Sequence, residues 1–400
     1  MLFSIVAAAL IVLALLPALS TAYLLFLTAA AVARKLGSRR RDVPGPETRF
    51  GVLVPAHNEE ALIGRLLDNL ARLDYPPALL DVWVVADNCS DATASIARAA
   101  GAKVMERVSA TDRAKGFALR WLLARLTERG MHYDAYVVLD ADSIVAPNFL
   151  LSMDAHLRAG SKVVQAYYSV LNPGASALAG LRYLALAALH YLRPMGRSAL
   201  RLSVGLKGNG MCFAAGVLQE FGWNWFTLAE DVEFHLALVK AGYRVDFASD
   251  TCVLADMPVT FDQANSQNQR WERGRIDMLR AQVPGLLGAA LKKRNILALD
   301  AAVEQLLPPL SLPIAVGGLC GALGVILNVP LAALLGGVSV AGMITYLLAG
   351  ALLAGAPAGV YRSLAYAPIY VGWKVGLYAM TLLGPRTQAW VRTTRVSGAR

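Results

Sequence analysis

Met1 to Ala33 contains no charged side chain, and that run constrains the chain more than any other feature. In hydrocarbon every backbone N–H and C=O must bond within its own segment, so such a run forms a helix, and Pro17 is tolerated within it. About 20 residues cross a bilayer, so the sequence predicts one long or tilted span over 1–33. Basic residues follow the run instead of preceding it, which predicts an uncleaved anchor with its N-terminus outside, not a secretory signal. Of the 400 residues, 56% are hydrophobic and 16% charged, the balance of a membrane protein. The net charge of +10 does not require nucleic acid. Arg34, Lys35, Arg39, Arg40 and Arg41, then Lys292, Lys293 and Arg294, then Arg386, Arg392, Arg395 and Arg400 bunch beside apolar runs, as the positive-inside rule produces. Cys89, Cys212, Cys252 and Cys320 have no paired spacing for metal or redox work. They read as reduced, which fits a cytoplasmic domain at the inner face of a cell membrane.

After a basic linker over 34–48 the hydrophobic period changes. A strand is expected over 50–55, a helix from Asn58 to about Leu73, and a second strand over 82–86 that breaks at Asp87-Asn88-Cys89-Ser90-Asp91. A helix over 92–100, a strand over 103–105 and a helix over 117–126 follow. Tyr136-Val137-Val138-Leu139 is a further buried strand, and it ends in Asp140-Ala141-Asp142-Ser143. Strands alternating with helices imply a parallel sheet with helices on both faces, a nucleotide-binding arrangement. Neither a Gly-rich dinucleotide fingerprint nor a phosphate loop ending in Gly-Lys-Ser/Thr is present, so metal and side chains must hold any phosphates.

Ligands of open α/β sheets sit outside the carboxyl ends of strands, so Asp140 and Asp142 point into the expected pocket. Two crowded acids repel unless a cation joins them, and Mg²⁺ or Mn²⁺ prefers oxygen ligands. Two solvated turn acids fit the same pattern equally well. A strand over 161–170 and an Ala/Leu-rich helix over 175–193 come next. Gly208-Asn209-Gly210 suits either a backbone packed against a ligand or an ordinary turn. Ala229-Glu230-Asp231 opens a helix, where the acids either cap it or make Asp231 a general base, its pKa lowered by the helix N-terminus. On a helix Gln267, Arg270 and Trp271 share one face. Arg270 offers a planar fork for a diphosphate, and Trp271 a flat surface on which a sugar ring stacks. An interfacial helix accounts for the same two residues.

Taken in order, Asp87 after Ala86, the Asp140-Ala141-Asp142 pair, Glu230-Asp231 and Gln267 through Trp271 resemble a known family. The pattern is similar to the membrane-anchored, processive-type members of glycosyltransferase family 2, the cellulose, hyaluronan and chitin-oligosaccharide synthases. Val54-Pro55-Ala56-His57-Asn58-Glu59 fits the family's first strand, and the resemblance covers about 49–275 with the layout of flanking helices. It implies an α/β GT-A (Rossmann-like) domain over 49–283 and a nucleotide-sugar donor, usually UDP-linked. It also implies inverting transfer to a polysaccharide or glycolipid acceptor. By the same resemblance Glu59, Asp87 and Lys115 hold the nucleoside or its phosphates. Asp142 binds Mg²⁺ or Mn²⁺, and Asp140 bridges ribose and metal. Asp231 deprotonates the acceptor hydroxyl with Glu230 beside it, Gln267 and Arg270 grip the diphosphate, and Trp271 forms the acceptor platform. Ala229 stands where the family often has Thr. The chain after Arg275 is short for a polymer channel, so a single transfer to a ceramide or polyprenyl lipid is the alternative.

Beyond 284, Asp300, Glu304 and Gln305 fit an interfacial helix ahead of a spanning hairpin over 307–327 and 331–353, turned at Asn328-Val329-Pro330. The segment 364–383 is interfacial or spanning, and the interfacial placement keeps the arginine-rich tail inside. Two readings come from other classes. Asp140 through Ile144 approximates the nucleophile motif of haloacid-dehalogenase phosphatases, but that family expects Thr or Val at Ile144, and Arg270-Trp271 is left unexplained. A non-catalytic membrane scaffold is the other, opposed by the intact acidic set.

Overall fold

Strands β1 (Phe50–Ala56), β2 (Leu80–Asp87), β3 (Lys103–Arg107) and β4 (Ala135–Val138) form the parallel half of an eight-stranded sheet ordered β3-β2-β1-β4-β7-β6-β8-β5. The computed structural model describes residues 1–37, 45–227 and 229–383, apart from the side chains of Ser266 and Arg270. The expected basic residues Arg39, Arg40, Arg41, Arg386, Arg392, Arg395 and Arg400 lie outside the described residues. Strand β5 (Ser143–Val145) follows the Asp140–Asp142 turn, β6 (Val163–Val170) and β8 (Val245–Ala255) run parallel to each other, and β7 (Met211–Ala214) is antiparallel to both β4 and β6. The all-parallel expectation is therefore corrected to a mixed sheet, because β7 enters between β4 and β6 in reverse and β5 pairs antiparallel with β8.

Successive residues of β1 feed opposite sides of the sheet. Val52 and Val54 join Val137 and Cys212 in one buried cluster, while Leu53 joins Val85, Val138 and Phe213 in the other. Burial on both faces is why these strands read as continuous apolar runs. The expected helix from Asn58 shortens to Ile63–Leu70. Asn58 sits at φ +55°, and Thr93 Oγ1 and Asp91 Oδ2 accept the N–H groups of Glu59 and Glu60, so these residues form a rim loop. The helix expected over 175–193 runs on to Ala199 through a π-helical turn at Ala187–Leu192. Pro194 falls in the first turn of the last segment, where a missing N–H is harmless.

Helices Leu2–Gly37 and Pro330–Leu353 are long and apolar enough to cross a membrane, and Ile296–Leu306 with Ser311–Ile326, bent by 59°, makes a third if counted as one span. Ser311–Ile326 and Pro330–Leu353 pack on each other and on the N-terminal helix. Close approach needs small residues there: a Cβ on Gly336 would come within 2.4 Å of Gly317 O. Asp300 and Glu304 turn into the protein, where both pair with buried Arg197. The 364–383 segment begins in a 3₁₀ stretch, Ala358–Tyr366, and continues as helix Ala367–Leu383, which packs on the long helix Phe261–Lys293.

Candidate active site

The carboxyl ends of β1 and β2 carry two tight loops. Asn58 and Asn88 adopt φ +55° and +51°, a left-handed geometry that asparagine tolerates. Asn58 Oδ1 accepts the Ser90 N–H at 2.8 Å, and His57 Nδ1 lies 2.7 Å from Asp87 O, so the loops bearing Glu59 and Asp87 are stitched together. Asp87 is 8% exposed and accepts from Arg107 at 2.6 Å and from Asn88 at 3.2 Å. Arg107 faces Asp87 because β2 and β3 pair these two residues in register. No sequence motif marks Arg107, since its partner is set by strand register alone.

The loop ahead of β7 forms the other wall. Lys115 donates to Asp140 Oδ1 at 2.5 Å and to Gly208 O. Fully buried Asn209 accepts the Asp140 N–H at 3.2 Å and donates to Ser143 Oγ at 2.7 Å. Gln165 braces this loop from β6, donating to Asn209 O and accepting the Lys207 N–H, each at 2.9 Å. The turn reading of Gly208-Asn209-Gly210 holds, because the segment leads into β7, and the same turn walls the candidate site. Gly208 has φ +75°, and a Cβ there would stand 3.5 Å from Asp231 Oδ2. Asp231 thus faces the same loop that Lys115 ties to Asp140. Arg65 fixes the acid turn from behind, donating to Asp142 O at 3.2 Å and to Asp256 at 2.7 Å. Gln165 and Arg65 escaped the sequence reading, and Asn209 entered it only as part of a turn, with no role for its side chain. The two glycines around Asn209 were the signal that marked the turn.

Glu230 and Asp231 occupy the first turn of helix Glu230–Lys240. Burial, reinforced by the neighbouring Asp231 charge, pushes Glu230 up to about 7. Asp231 is also raised, by burial, although the Val232 N–H and the ammonium groups of Lys207 and Lys115 pull it back. The expected lowering at the helix N-terminus is corrected here, because desolvation outweighs the backbone N–H groups.

Gln267 and Trp271 lie on the Phe261–Lys293 helix, as expected, with Gln267 buried and its Oε1 without a hydrogen-bond partner. Trp271 is 38% exposed and carries the Arg182 guanidinium 5.1 Å from its ring centre. The Arg270 side chain lies outside the described ones. The contacts therefore unite Lys115, Asp140, Glu230 and Asp231, with Asp142 two residues from Asp140. They set Glu59 and Asp87 on the neighbouring rim, and among the described residues they do not link Gln267 or Trp271 directly to either group. Among the described residues no three His, Cys, Asp or Glu side chains gather into a metal cage. Two acids on one turn nonetheless match Mg²⁺ or Mn²⁺, which take one or two carboxylates and leave other positions to water and phosphate oxygens.

The mixed sheet, with acids at the ends of β2 and β4, defines a GT-A glycosyltransferase domain. The chain belongs to glycosyltransferase-like family 2, whose match covers residues 46–274. It is 25% identical over 237 residues to "Probable glycosyltransferase YdaM" of Bacillus subtilis, covering 56% of this chain and 55% of that protein. It is 27% identical over 242 residues to "Beta-monoglucosyldiacylglycerol synthase" of Trichormus variabilis, covering 59% of this chain and 50% of that one. The chain thus spans about half the length of the curated relatives it matches. In fold it resembles the mannosyltransferase PcManGT of Pyrobaculum calidifontis, solved in complex with GDP-Man and Mn²⁺, at a TM-score of 0.53 and 21% identity, covering 86% of this chain and 98% of that one.

Proposed function

We propose that the chain transfers a sugar from a nucleotide-sugar donor, UDP-linked, to a hydroxyl of a polysaccharide or glycolipid acceptor at the cytoplasmic face of a membrane, with inversion at the anomeric carbon. One observation carries this reading: Lys115 ties Asp140 to the loop that faces Asp231, so the donor end and the base share one site. A lipid acceptor is favoured over a polymer by the diacylglycerol-directed name of one relative.

In this mechanism Asp231 accepts the proton of the acceptor hydroxyl as its oxygen bonds to the anomeric carbon. The bond from that carbon to the diphosphate breaks on the opposite side. Asp142 and Asp140 would hold a divalent ion, which would supply charge neutralisation on the diphosphate. Lys115, Gln267 and Arg270 add donors to the leaving group, Glu59 and Asp87 hold the nucleoside, and Glu230 and Trp271 receive the acceptor. The test is nucleoside diphosphate release from a panel of UDP-sugars in detergent, with and without Mn²⁺. Release that needs metal and vanishes in Asp231→Asn supports the reading. Phosphate release from simple phosphoesters, with no sugar transfer, would replace it with the phosphatase.

A further inference from the structure

Arg182 is a charged side chain that the mechanism above does not use. It lies on helix Ala177–Leu186, is 4% exposed, and has one terminal nitrogen buried with no hydrogen-bond partner. A guanidinium stays protonated in proteins, and burying it without an anion is costly. The attractive groups that face it are the phenols of Tyr370 and Tyr168, not a carboxylate. The acid in this quarter, Glu272, is already engaged: Lys374 donates to it at 3.0 Å and Tyr378 at 2.9 Å. Positive charge is therefore in excess here.

The placement narrows what that charge is for. The Arg182 guanidinium lies over one face of Trp271, the platform residue, and the indole remains 38% exposed. One helical turn away on the same helix, Gln267 Oε1 is a second buried polar atom without a partner. A donor against the Trp271 ring and an acceptor one turn along its helix thus stand unfilled. Helix Ala177–Leu186 also packs against the 3₁₀ stretch Ala358–Tyr366 and helix Pro330–Leu353, so this corner adjoins a membrane-type helix.

We propose that Arg182 forms an anion subsite beside Trp271 that takes the phosphate of a phospholipid acceptor, whose hydroxyl is the one glycosylated. The inference rests on the glycosyltransfer reading and on Trp271 as the acceptor platform. Arg182 bonds the lipid phosphate through its free nitrogen, and a hydroxyl of the lipid headgroup donates to Gln267 Oε1. A planar fork over an aromatic face suits a phosphodiester better than a lysine would.

The test compares two matched lipids in neutral detergent with the full chain. Dioctanoyl phosphatidylglycerol carries a phosphodiester and a hydroxyl, and dioctanoylglycerol carries the hydroxyl alone. The wild type is expected to favour the phospholipid. Arg182→Gln should raise its KM about tenfold or more, the loss of one charge-assisted hydrogen bond. The KM values for donor and for dioctanoylglycerol stay unchanged, and Arg182→Lys recovers part of the loss. Equal loss on both lipids would make Arg182 only a support for Trp271, and a raised donor KM would move it to the donor; either overturns the proposal.

A binding arm reads thermal protection without turnover. Phosphatidylglycerol should protect the wild type and not Arg182→Gln. Protection by inorganic phosphate alone at the same concentration assigns the subsite to a free anion and overturns the lipid source. If no donor yields sugar transfer, the glycosyltransfer reading falls while the binding arm still decides the subsite. If Asp231→Asn abolishes transfer but Arg182→Gln changes nothing, only the subsite falls.

Discussion

Replacing Asn209 by Ala probes the joint between the acid turn and the loop ahead of β7. The side chain is fully buried and makes two bonds across that joint, accepting from the Asp140 N–H at 3.2 Å and donating to Ser143 Oγ at 2.7 Å. Each is worth about 0.5–1.5 kcal/mol net, and the stranded Asp140 N–H adds a desolvation cost, so the loss totals about 2–3 kcal/mol. The rate should fall further than stability implies, because a misplacement of about 1 Å at the reacting groups costs on the order of a hundredfold. Thermal unfolding in detergent and the kcat for nucleoside diphosphate release measure the two effects. A cycle with Ser143→Ala isolates the joint, and the double variant should lose less than the two single losses added, by at least about 0.5 kcal/mol. Unchanged melting and unchanged kcat in Asn209→Ala, or strict additivity in the cycle, would refute the bracing role.

The remaining expectations concern charge and space. Arg107→Met leaves Asp87 buried without its ion pair, so stability should fall by about 3–5 kcal/mol; adding Asp87→Asn should restore much of it, and no rescue would separate the pair. Protonation removes the proposed base, and Glu230 is held at about 7. Because burial also raises the base Asp231, the acid limb of kcat/KM should lie above the ordinary carboxylate value of about 4, with activity lost as pH falls through it. Lys115→Met removes a cation that holds Glu230 down, so in its residual activity the limb should move to higher pH; a limb that stays put refutes the coupling. In Gly210→Ala the new Cβ would stand 2.6 Å from Val253 Cγ1 at φ +68°, so melting should fall by an amount equivalent to about 1–3 kcal/mol. Val253→Ala should relieve part of that loss.

What could be read in advance was whatever repeats locally. Val52, Leu53 and Val54, or Val137 and Val138, are buried on alternate faces of one sheet, and a strand of that kind announces itself by composition. Strand β8 was missed although Val245, Phe247, Val253 and Ala255 are buried, because Ser249, Asp250 and Thr251 interrupt the run. Those residues lie where the β6–β8 register slips between Ala166 and Tyr167, an irregularity that pairing with β6 tolerates and a local reading does not. The direction of β7 was equally hidden, since Met211–Ala214 pairs with β4 and β6 and nothing within four residues says which way they run.

The site divides along the same line. Its acids stand at strand ends and a helix start, where sequence position is informative, but each of three rim acids meets its cation from a separate element. Asp87 meets Arg107 across β2 and β3, Asp140 meets Lys115 from a helix 25 residues earlier, and Asp256 meets Arg65 across 191 residues. Such pairs settle how much charge the pocket holds before any ligand arrives, and only the folded chain reveals them. Glu230 and Asp231 are different, because among the described residues no ion pair joins either to a cation; they face Lys115 and Lys207 through space while burial raises both. Acids neutralised by close cations are poor proton acceptors, and acids raised by burial are better ones. The separation of the rim into paired carboxylates and this unpaired, buried couple is therefore a physical reason to assign the base to the helix start and not to the acid turn.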